Sequence, residues 1–267
     1  KGNAINGFSV KKASDLFGLA NVVIFSPEDL SLIKDGPKER RRFVDLELCQ
    51  LNKFYLHNLA RYNRVLMQRN RLLKDIAFKP QLEDSLSVWD EELVKYGQAI
   101  IRLRREFIEN LQNKLIRIHK NISGGREELL LSYEENVREE AFSEAIIKAR
   151  DTEKKQRITL VGPHRDDLLF QINGEDIRKF GSQGQKRTAA LSLKLAEIEL
   201  VKEKIEDYPI LLLDDVFSEL DKKRQNFLLD EFSDVQSIIT CTGLEDLLEI
   251  RFPIDKLYYV EGGKIEC

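Results

Sequence analysis

The sequence predicts an α/β fold in which a mainly parallel sheet is interrupted by an α-helical insertion. The first observation is the last third of the chain, where short aliphatic runs alternate with stretches of helical period. The second is the middle of the chain, which has helical period only. Apolar strands alternating with helices are typical of a parallel sheet covered on both faces. These strands are predicted at Ile158–Val161, Leu168–Ile172, Ile210–Leu213 and Ser237–Cys241.

The beginning of the chain has strand and turn signals. Ile5-Asn6-Gly7 is a turn signal, and Val22–Phe25 is an apolar strand that Ser26-Pro27 closes. We therefore assign residues 1–36 to the end of the amino-terminal part of the α/β domain, including the segment around Glu28.

The middle of the chain predicts a helical arm. Apolar residues recur at steps of three and four over Arg40–Lys74 and Glu91–His119, with charge on the other face. Pro80 separates the two helices, so we expect them to pack back on each other as a hairpin. A third, acidic helix is predicted from about Glu134 to Arg150. Residues 37–152 form the predicted insertion domain.

The remaining residues, 153–267, form the predicted carboxyl-terminal part of the α/β domain. A helix over Gln185–Lys204 leads to Pro209 and the strand that follows it. Leu257–Val260 and the glycine pair Gly262-Gly263 predict a closing hairpin.

Composition favours a folded cytoplasmic protein. Of 267 residues, 42% are hydrophobic and 33% are charged, and no apolar run approaches the roughly 20 residues that span a bilayer. The three cysteines have no CxxC spacing, which favours a reducing compartment and argues against zinc. Because the chain starts at Lys1 and its single methionine is Met67, we expect a further amino-terminal piece.

Charge is segregated although the net charge is only -3. Pro37 to Lys79 carries 11 Lys or Arg against 4 Asp or Glu, whereas Gly124 to Glu153 carries 4 against 9. The basic stretch predicts contacts to nucleic-acid phosphates, although a solvated helix face and pairing with the acidic helix are open alternatives. The candidates for DNA binding are Arg40, Arg41, Arg42, Arg61, Arg64, Arg69, Arg71 and, outside this stretch, Arg165.

The strand Ile210–Leu213 runs directly into Asp214 and Asp215. Ligands of parallel sheets bind beyond the carboxyl ends of the strands, so these acids are delivered to a binding crevice. In nucleoside triphosphatases the first such acid serves Mg²⁺ and the next acts on the attacking water. Turn formation or helix capping is the alternative for such acids, and the motif alone does not decide between them.

Two further loops surround this strand in the sequence. Gly181-Ser182-Gln183-Gly184-Gln185 precedes a strongly helical run and predicts a helix amino terminus whose free amides can meet phosphate oxygens. Ser218-Glu219-Leu220-Asp221 follows the two acids. Each loop alone is compatible with an ordinary helix cap, but the ordering of all three motifs is much more specific.

These motifs resemble those of ABC-type ATPases. The loop from Gly181 resembles the signature motif, Ile210–Asp215 resembles Walker B, Ser218–Asp221 resembles the D-loop, and Thr240-Cys241-Thr242 takes the switch position. Further motifs resemble the RecF family of DNA-repair ATPases over essentially the whole chain. They are Phe25-Ser26-Pro27-Glu28-Asp29-Leu30, Gly36-Pro37, Arg40-Arg41-Arg42-Phe43, Gln68-Arg69-Asn70 and Gly162-Pro163-His164-Arg165-Asp166-Asp167.

The resemblance implies an ABC-type ATPase lobe and a weak DNA-stimulated ATPase that forms an ATP-dependent homodimer. It implies binding to single-stranded or gapped DNA, and assistance to RecA loading with RecO and RecR. The resemblance also implies roles for single residues. Nucleotide contact in trans is implied for Ser182, Gln183, Gly184 and Gln185, Mg²⁺ binding for Asp214 and orientation of the attacking water for Asp215. Coupling of the two subunits is implied for Ser218 and Asp221, the switch for Thr240 and Thr242, and a Q-loop-like role for Glu28.

Two departures from the ATPase pattern stand in the sequence. The switch position has no histidine, so water positioning there depends on Thr240 or a neighbour. No GxxxxGK[ST] phosphate loop occurs, so this chain cannot cradle ATP unaided, and we expect that loop upstream of Lys1.

Three other functions are open from the sequence. A transporter-type subunit is disfavoured by the basic helical insertion and the missing histidine. A two-metal nuclease would use Asp214, Asp215, Glu219 and Asp221. A non-hydrolysing structural or DNA-binding module is the third alternative.

Overall fold

The computed structural model describes residues 3–5, 8–10, 17–217, 222, 224–225, 228, 235–241 and 254–266. The strands are β1 Asn3–Ile5, β2 Phe8–Val10, β3 Val22–Phe25, β4 Leu129–Glu134, β5 Asp167–Ile172, β6 Glu175–Asp176, β7 Ile210–Asp214, β8 Ser237–Thr240, β9 Tyr259–Glu261 and β10 Lys264–Glu266. The helices are α1 Ser31–Lys34, α2 Pro37–Leu51, α3 Lys53–Ile76, α4 Leu86–Ile122, α5 Phe142–Gln156, α6 Ile177–Phe180 and α7 Gln183–Ile205.

The central sheet has the order β3-β7-β8 and is parallel throughout, as predicted. Its register pairs Phe25 with Leu213 and Asp214 with Thr240. Leu211 and Leu213 are buried, so the aliphatic run of β7 anchors the strand in the core. The carboxyl ends of three adjacent strands therefore lie along one edge, where parallel sheets bind ligands.

A second sheet, of order β4-β5-β6, is antiparallel, and the predicted strand Leu168–Ile172 belongs to it as β5. Leu129–Glu134 forms a strand that we did not predict, and it pairs with β5 over six residues. Asn173 and Gly174 both have positive φ, 51° and 85°, which is the geometry of a tight hairpin turn. The predicted helix from Glu134 begins only at Phe142, because β4 continues to Glu134.

Two predicted elements have other boundaries. The first arm helix is split at Asn52, whose side-chain oxygen accepts the backbone N–H groups of Phe54 and Tyr55 at 2.9 and 3.1 Å and so caps α3. Ile158–Val161 is not a strand. The Thr159 backbone N–H instead donates to the Asn70 side chain at 2.8 Å, so this segment docks on α3 rather than on a sheet.

Helices α3 and α4 pack along each other as the predicted hairpin. Pro80 begins the 3₁₀ turn Pro80–Ser85 between them, and the buried ring of Tyr62 on α3 lies against Gly97 on α4. Helix α7 packs along α4, and a single hydrophobic cluster joins the arm to the central sheet. The predicted insertion and the α/β lobe thus share one core, while their residue boundaries stay a prediction. No helix in the described ranges has the length and apolar character needed to cross a membrane.

Two glycines permit the closest contacts of the arm. A Cβ atom at Gly97 on α4 would lie 2.4 Å from Cε1 of Phe142. Gly162 has a φ of 134°, and a Cβ atom there would lie 3.0 Å from Cζ of the same ring and 2.5 Å from the Tyr62 hydroxyl. Any larger residue at either position would displace the start of α5 from the arm.

Candidate functional site

The two strand-end acids and the predicted switch residue lie together. Asp214 ends β7 beside Thr240, which ends β8, and Thr240 Oγ1 donates a hydrogen bond to Asp214 Oδ1 at 2.5 Å. The Asp215 backbone N–H lies 3.2 Å from both the carbonyl oxygen and Oγ1 of Thr240. Threonine at this position therefore fixes the rotamer of one acid and the backbone of the other.

Asp215 has a φ of 49°, in the left-handed region. This conformation costs a residue with a Cβ atom roughly 1–2 kcal/mol, and aspartate is among the side chains that adopt it most readily. The chain therefore turns sharply at the end of β7. Asp214 is exposed and Asp215 is half-buried, so neither acid is enclosed in the core.

The Asp214 carboxylate suits a hydrated divalent cation. The Oδ1 atom of Asp214 accepts the hydrogen bond from Thr240, whereas its Oδ2 atom has no hydrogen bond within the described part of the chain. Mg²⁺ usually keeps several waters and binds one or two carboxylates together with substrate phosphates. No group of three or more His, Cys, Asp or Glu side chains that could hold a metal ion occurs among the described residues. Glu219, required by the nuclease alternative, lies outside the described residues, as do Ser218, Asp221 and Thr242.

The glycine-bearing loop begins α7 as predicted. Ser182 is the N-cap, and its Oγ accepts the Gln185 backbone N–H at 3.2 Å, while Gln185 Oε1 accepts the Ser182 backbone N–H at 2.8 Å. Ser182, Gln183 and Gly184 are exposed. A Cβ atom at Gly181 would lie 2.5 Å from the Ile177 carbonyl oxygen, so the loop requires glycine there. The helix terminus thus presents its free amides to solvent.

Gln185 differs from its neighbours in the loop. It is half-buried, and its Nε2 donates to Glu127 Oε1 at 3.1 Å. Both ends of its side chain are therefore committed within the chain. Neither Glu127 nor its contact was predicted from the sequence, because the two residues lie 58 positions apart.

Glu28 follows β3 at the same edge as Asp214. It is exposed in the 3₁₀ turn Pro27–Leu30, which Asp29 stabilises by accepting the Ser26 backbone N–H at 2.8 Å. Glu28, Asp29, Glu47 and Lys194 line a cleft of about 610 Å³ between β3 and α2.

A buried charged cluster lies at the wall of this cleft. Lys194 Nζ is 2.6 Å from Glu197 Oε2, and Glu47, Lys194 and Glu197 are each at most 6% exposed. Burial, and then the neighbouring Glu197, hold the pKa of Glu47 well above its ordinary value of 4.5. One lysine thus faces two buried carboxyl groups, and burial raises the pKa of both Glu47 and Glu197.

Replacing Glu47 by glutamine is expected to flatten the pH dependence of stability. Since the folded pKa of Glu47 lies above 4.5, its contribution is fully present below that pH and is lost as pH rises. The wild-type free energy of unfolding should therefore fall with rising pH over the range above about pH 4.5, by up to about 1.4 kcal/mol per pH unit. Urea denaturation across that range measures the slope, with the exposed Glu106→Gln as control. Equal slopes for wild type and Glu47→Gln would contradict this account.

Two of the predicted DNA-binding arginines are buried in ion pairs, so assigning them to DNA was wrong. Arg40 is 2% exposed and contacts both oxygens of Asp167 at 2.6 and 2.9 Å. Arg69 is 0% exposed and donates to Asp90 at 2.7 Å, Glu153 at 2.7 Å and Thr159 at 2.8 Å. Their guanidinium groups are fully used inside the protein and cannot reach phosphates.

Other predicted arginines remain at the surface. Arg41 is half-buried and donates to the Asp166 carbonyl oxygen at 2.7 Å. The side chain of Arg42 is 71% exposed and that of Arg71 is 79% exposed, and each lies about 4 Å from an acid on its own helix. Arg61 and Arg64 are exposed one turn apart on α3, and neither forms an ion pair with any residue that the structure describes.

The acidic segment contacts a different set of arginines. Arg105 pairs with Glu135 at 2.6 Å, and Arg102 lies 3.6 Å from Glu139. Both arginines belong to α4, so Glu135 and Glu139 leave Arg61, Arg64 and Arg71 of α3 at the surface. The outer face of α3 is therefore a basic stripe formed by Lys53, Arg61, Arg64, Arg71 and Lys74.

The Gly162-Pro163-His164-Arg165 turn is held locally. His164 Nδ1 lies 2.7 Å from the Tyr62 hydroxyl, and Nε2 lies 3.1 Å from the Thr159 carbonyl oxygen. Burial lowers the pKa of His164 to about 4, so the ring is neutral near pH 7. Nε2–H therefore donates to Thr159 and Nδ1 accepts from Tyr62. Arg165 is exposed and donates to the same carbonyl at 3.1 Å.

Comparison with known proteins identifies the family. The chain is 58% identical over 266 residues to the DNA replication and repair protein RecF of Agathobacter rectalis, and it covers 74% of that protein. It is 56% identical, over the same share, to the corresponding protein of Lachnoclostridium phytofermentans. No protein-family model matches the chain.

Solved structures agree with this relationship. The structure of the recombination mediator protein RecF-ATPrS in the RecFOR pathway superimposes with a TM-score of 0.89 at 37% identity, covering 98% of this chain and 72% of that one. The RecF-ATP structure gives 0.88 at 36% identity, with 98% and 71% covered. The fold is thus the ABC-type ATPase lobe with a helical insertion. At this identity and coverage, the chain belongs to the RecF family.

Proposed function

We propose that this chain is the signature-bearing part of a RecF-type recombination mediator that dimerises on DNA when ATP is bound. The observation that carries the proposal is the exposure of two separate half-sites on one lobe. One is the strand-end pair Asp214 and Asp215 with Thr240, and the other is the Ser182-Gln183-Gly184 terminus of α7. Each half-site is open to a phosphate, and neither can enclose a nucleotide alone.

In this proposal each half-site serves a different nucleotide. Ser182, Gln183 and Gly184 contact the γ-phosphate that the partner subunit binds, using the free amides of the α7 terminus. Asp214 holds Mg²⁺ through water, Asp215 orients the nucleophilic water, and Thr240 fixes both acids. Glu28 lies at the same edge in the Q-loop-like position. Bound Mg²⁺ supplies charge neutralisation for the transferred phosphoryl group.

The remaining roles follow the family pattern. We assign subunit coupling to Ser218 and Asp221 and the second switch position to Thr242. RecO and RecR as partners are supported by the RecFOR pathway that is named for the solved relatives. Assistance to RecA loading on single-stranded or gapped DNA, a role in the SOS response and a cytoplasmic, nucleoid-associated location are parts of the same proposal.

Complementation between two inactive variants tests the shared site. The protein is used at the full length of its relatives, with its phosphate loop. Ser182→Arg blocks only the half-site that contacts the partner's nucleotide. Asp215→Asn prevents only hydrolysis of the nucleotide that the subunit itself binds. When the two variants are mixed before ATP is added, half of the dimers are mixed and each holds one intact site. About one quarter of wild-type ATP hydrolysis should return. A mixture as inactive as its components would exclude a site built in trans.

The basic stripe on α3 is the proposed DNA surface. We expect its arginines to contact phosphates rather than to read bases, because the sequence resembles no helix-turn-helix or zinc-finger module. Five cations along about 30 Å of helix match the spacing of a phosphate backbone better than that of a compact ligand.

Replacing Arg61 and Arg64 together by alanine is expected to weaken DNA binding. Each lost phosphate contact should lower the slope of log affinity against log salt by about one unit, so the double variant should lose about two. Fluorescence anisotropy over a salt series measures both affinity and slope. Lys120→Ala, an exposed cation on α4, is the matched control. A double variant with the slope of the control would remove this surface from DNA binding.

A further inference from the structure

A hydrogen-bonded chain joins the helical arm to the signature loop. His119, in the last turn of α4, is 0% exposed, and its Nε2 lies 3.2 Å from Glu127 Oε2. Glu127 Oε1 accepts from Gln185 Nε2 at 3.1 Å, and Gln185 Oε1 holds the Ser182 backbone N–H at 2.8 Å. Three side chains thus lead from the arm to Ser182, the residue that caps α7.

A second branch reaches the same loop from inside the protein. His119 Nδ1 lies 3.0 Å from Ser192 Oγ, and Ser192 donates to the Thr188 carbonyl oxygen at 2.8 Å. Thr188 Oγ1 in turn donates to the Gly184 carbonyl oxygen at 2.8 Å. His119 is therefore the point at which both branches meet, and both end in the proposed nucleotide contacts.

The hydrogen bonds of Ser192 determine which nitrogen of His119 carries a proton, and so what His119 presents to Glu127. The Ser192 hydroxyl proton is used on Thr188, so His119 Nδ1 must donate to Ser192. A neutral ring would then face the Glu127 carboxylate with the lone pair of Nε2, whereas a protonated ring donates to both. Burial lowers the pKa of His119 and Glu127 opposes that shift. An amide at position 127 would instead donate to the neutral ring.

Helix α4 connects this point with the DNA surface. It has 37 residues, which corresponds to about 55 Å, and it packs against α3 along the arm. The basic stripe lies on the outer face of α3, opposite this packing. A shift of the arm on binding DNA therefore moves the helix that carries His119, because helices packed through one core move together.

We propose that Glu127, oriented by His119, is a positioning residue that holds the signature loop in its nucleotide-binding form and couples the arm to it. The proposal rests on the function proposed above. It also assigns Gln185 to positioning within the chain rather than to direct contact with the partner's nucleotide. Loss of Glu127 would free the Gln185 side chain, and with it the cap that fixes the Ser182 backbone.

The test uses the full-length protein and compares Glu127→Ala with Glu127→Asp, Glu127→Gln and the control Glu128→Ala. Glu128 is the adjacent exposed acid, and its two hydrogen bonds to Asn173 use only its backbone N–H and carbonyl oxygen, not its carboxylate. Light scattering measures the ATP concentration that gives half-maximal dimerisation. ATP hydrolysis is measured with and without DNA, and thermal melting checks the fold.

Glu127→Ala should need about 10-fold more ATP to dimerise, as expected for losing a hydrogen bond to a charged group, and should lose DNA stimulation of hydrolysis. Glu127→Asp, which is too short to reach both partners, should need about 3-fold more. Glu127→Gln should stay close to wild type, because an amide satisfies Gln185 and a neutral His119. If Glu127 had only a structural role, the variants that need more ATP would instead have melting temperatures lowered in proportion to that increase.

The outcomes separate the two proposals. Glu127→Ala and Glu127→Asp matching Glu128→Ala in both ATP requirement and DNA stimulation would overturn the positioning role. The positioning role would also be overturned if the ATP requirement for dimerisation changed only in step with the melting temperature across the series. A wild-type protein that does not dimerise with ATP would instead overturn the proposed function itself. If Glu127→Ala does not fold, the ATP requirement and DNA stimulation of Glu127→Asp are compared with those of Glu127→Gln instead.

Discussion

Arg69→Ala is expected to lower the free energy of unfolding by about 3–5 kcal/mol. Arg69 is completely buried and pairs with two acids, Asp90 and Glu153, which are themselves at most 6% exposed. Removing the guanidinium leaves Glu153 without its ion-pair partner and leaves Asp90 paired with Arg150 alone, in a region where water cannot replace the lost cation. The Thr159 hydroxyl also loses a donor, although its hydrogen bonds to Asn70 remain.

Chemical denaturation measures this loss, with Arg71→Ala as control. Arg71 lies two residues further along α3, but its side chain is 79% exposed and its contact with Asp75 is at the edge of an ion pair, at 4.0 Å. Exposed pairs of this kind contribute about 0–1 kcal/mol, so the control should be nearly as stable as wild type. Similar stabilities for the two variants would mean that the buried triad contributes little.

Asp215→Asn is expected to reduce ATP hydrolysis by at least about 100-fold in the full-length protein, in line with removal of a group that acts on the attacking water. The amide keeps the volume of the carboxylate and tolerates the left-handed backbone at this position. Binding should survive, because Asp214 and Thr240 keep their contact. The variant should therefore remain a dimer as long as ATP is present.

Single-turnover hydrolysis and light scattering on the same sample separate these two effects. Asp207→Asn, an exposed acid just before β7, is the control and should hydrolyse ATP like wild type. Unaltered hydrolysis by Asp215→Asn would remove Asp215 from the catalytic role. A loss of both hydrolysis and dimerisation would assign it to nucleotide binding instead.

The central sheet could be predicted because its strands are marked by local composition. Val22–Phe25 and Ile210–Leu213 are continuous apolar runs, which are typical of strands in parallel sheets, although Ile24 on β3 and Ile238 on β8 are more than half exposed. The antiparallel sheet was missed because Leu129–Glu134 is half apolar and leads into an acidic segment that also suits a helix. Its identity as a strand depends on pairing with β5, some 40 residues later, which no local window contains.

The candidate site was likewise predictable only where local sequence or sheet topology determines it. Asp214 and Thr240 follow strands of one parallel sheet, so topology alone brings them together. The arginines could not be sorted, because Arg69 and Arg71 belong to the same basic run and differ only in the side of α3 on which they lie. His119 and Glu127 carry no motif, and their role depends on contacts with α7, which begins more than 50 residues later.

The ring of Phe142 lies against Gly97 and Gly162, two positions far apart in the sequence that share one neighbour. The two glycines nevertheless answer differently to a change in that ring. Among related proteins, a side chain larger than hydrogen at position 97 requires a smaller residue at position 142, whereas position 162 requires glycine in any case because of its φ of 134° and the Tyr62 hydroxyl. Covariation between positions 97 and 142 is thus a consequence of packing, and it carries no information about catalysis.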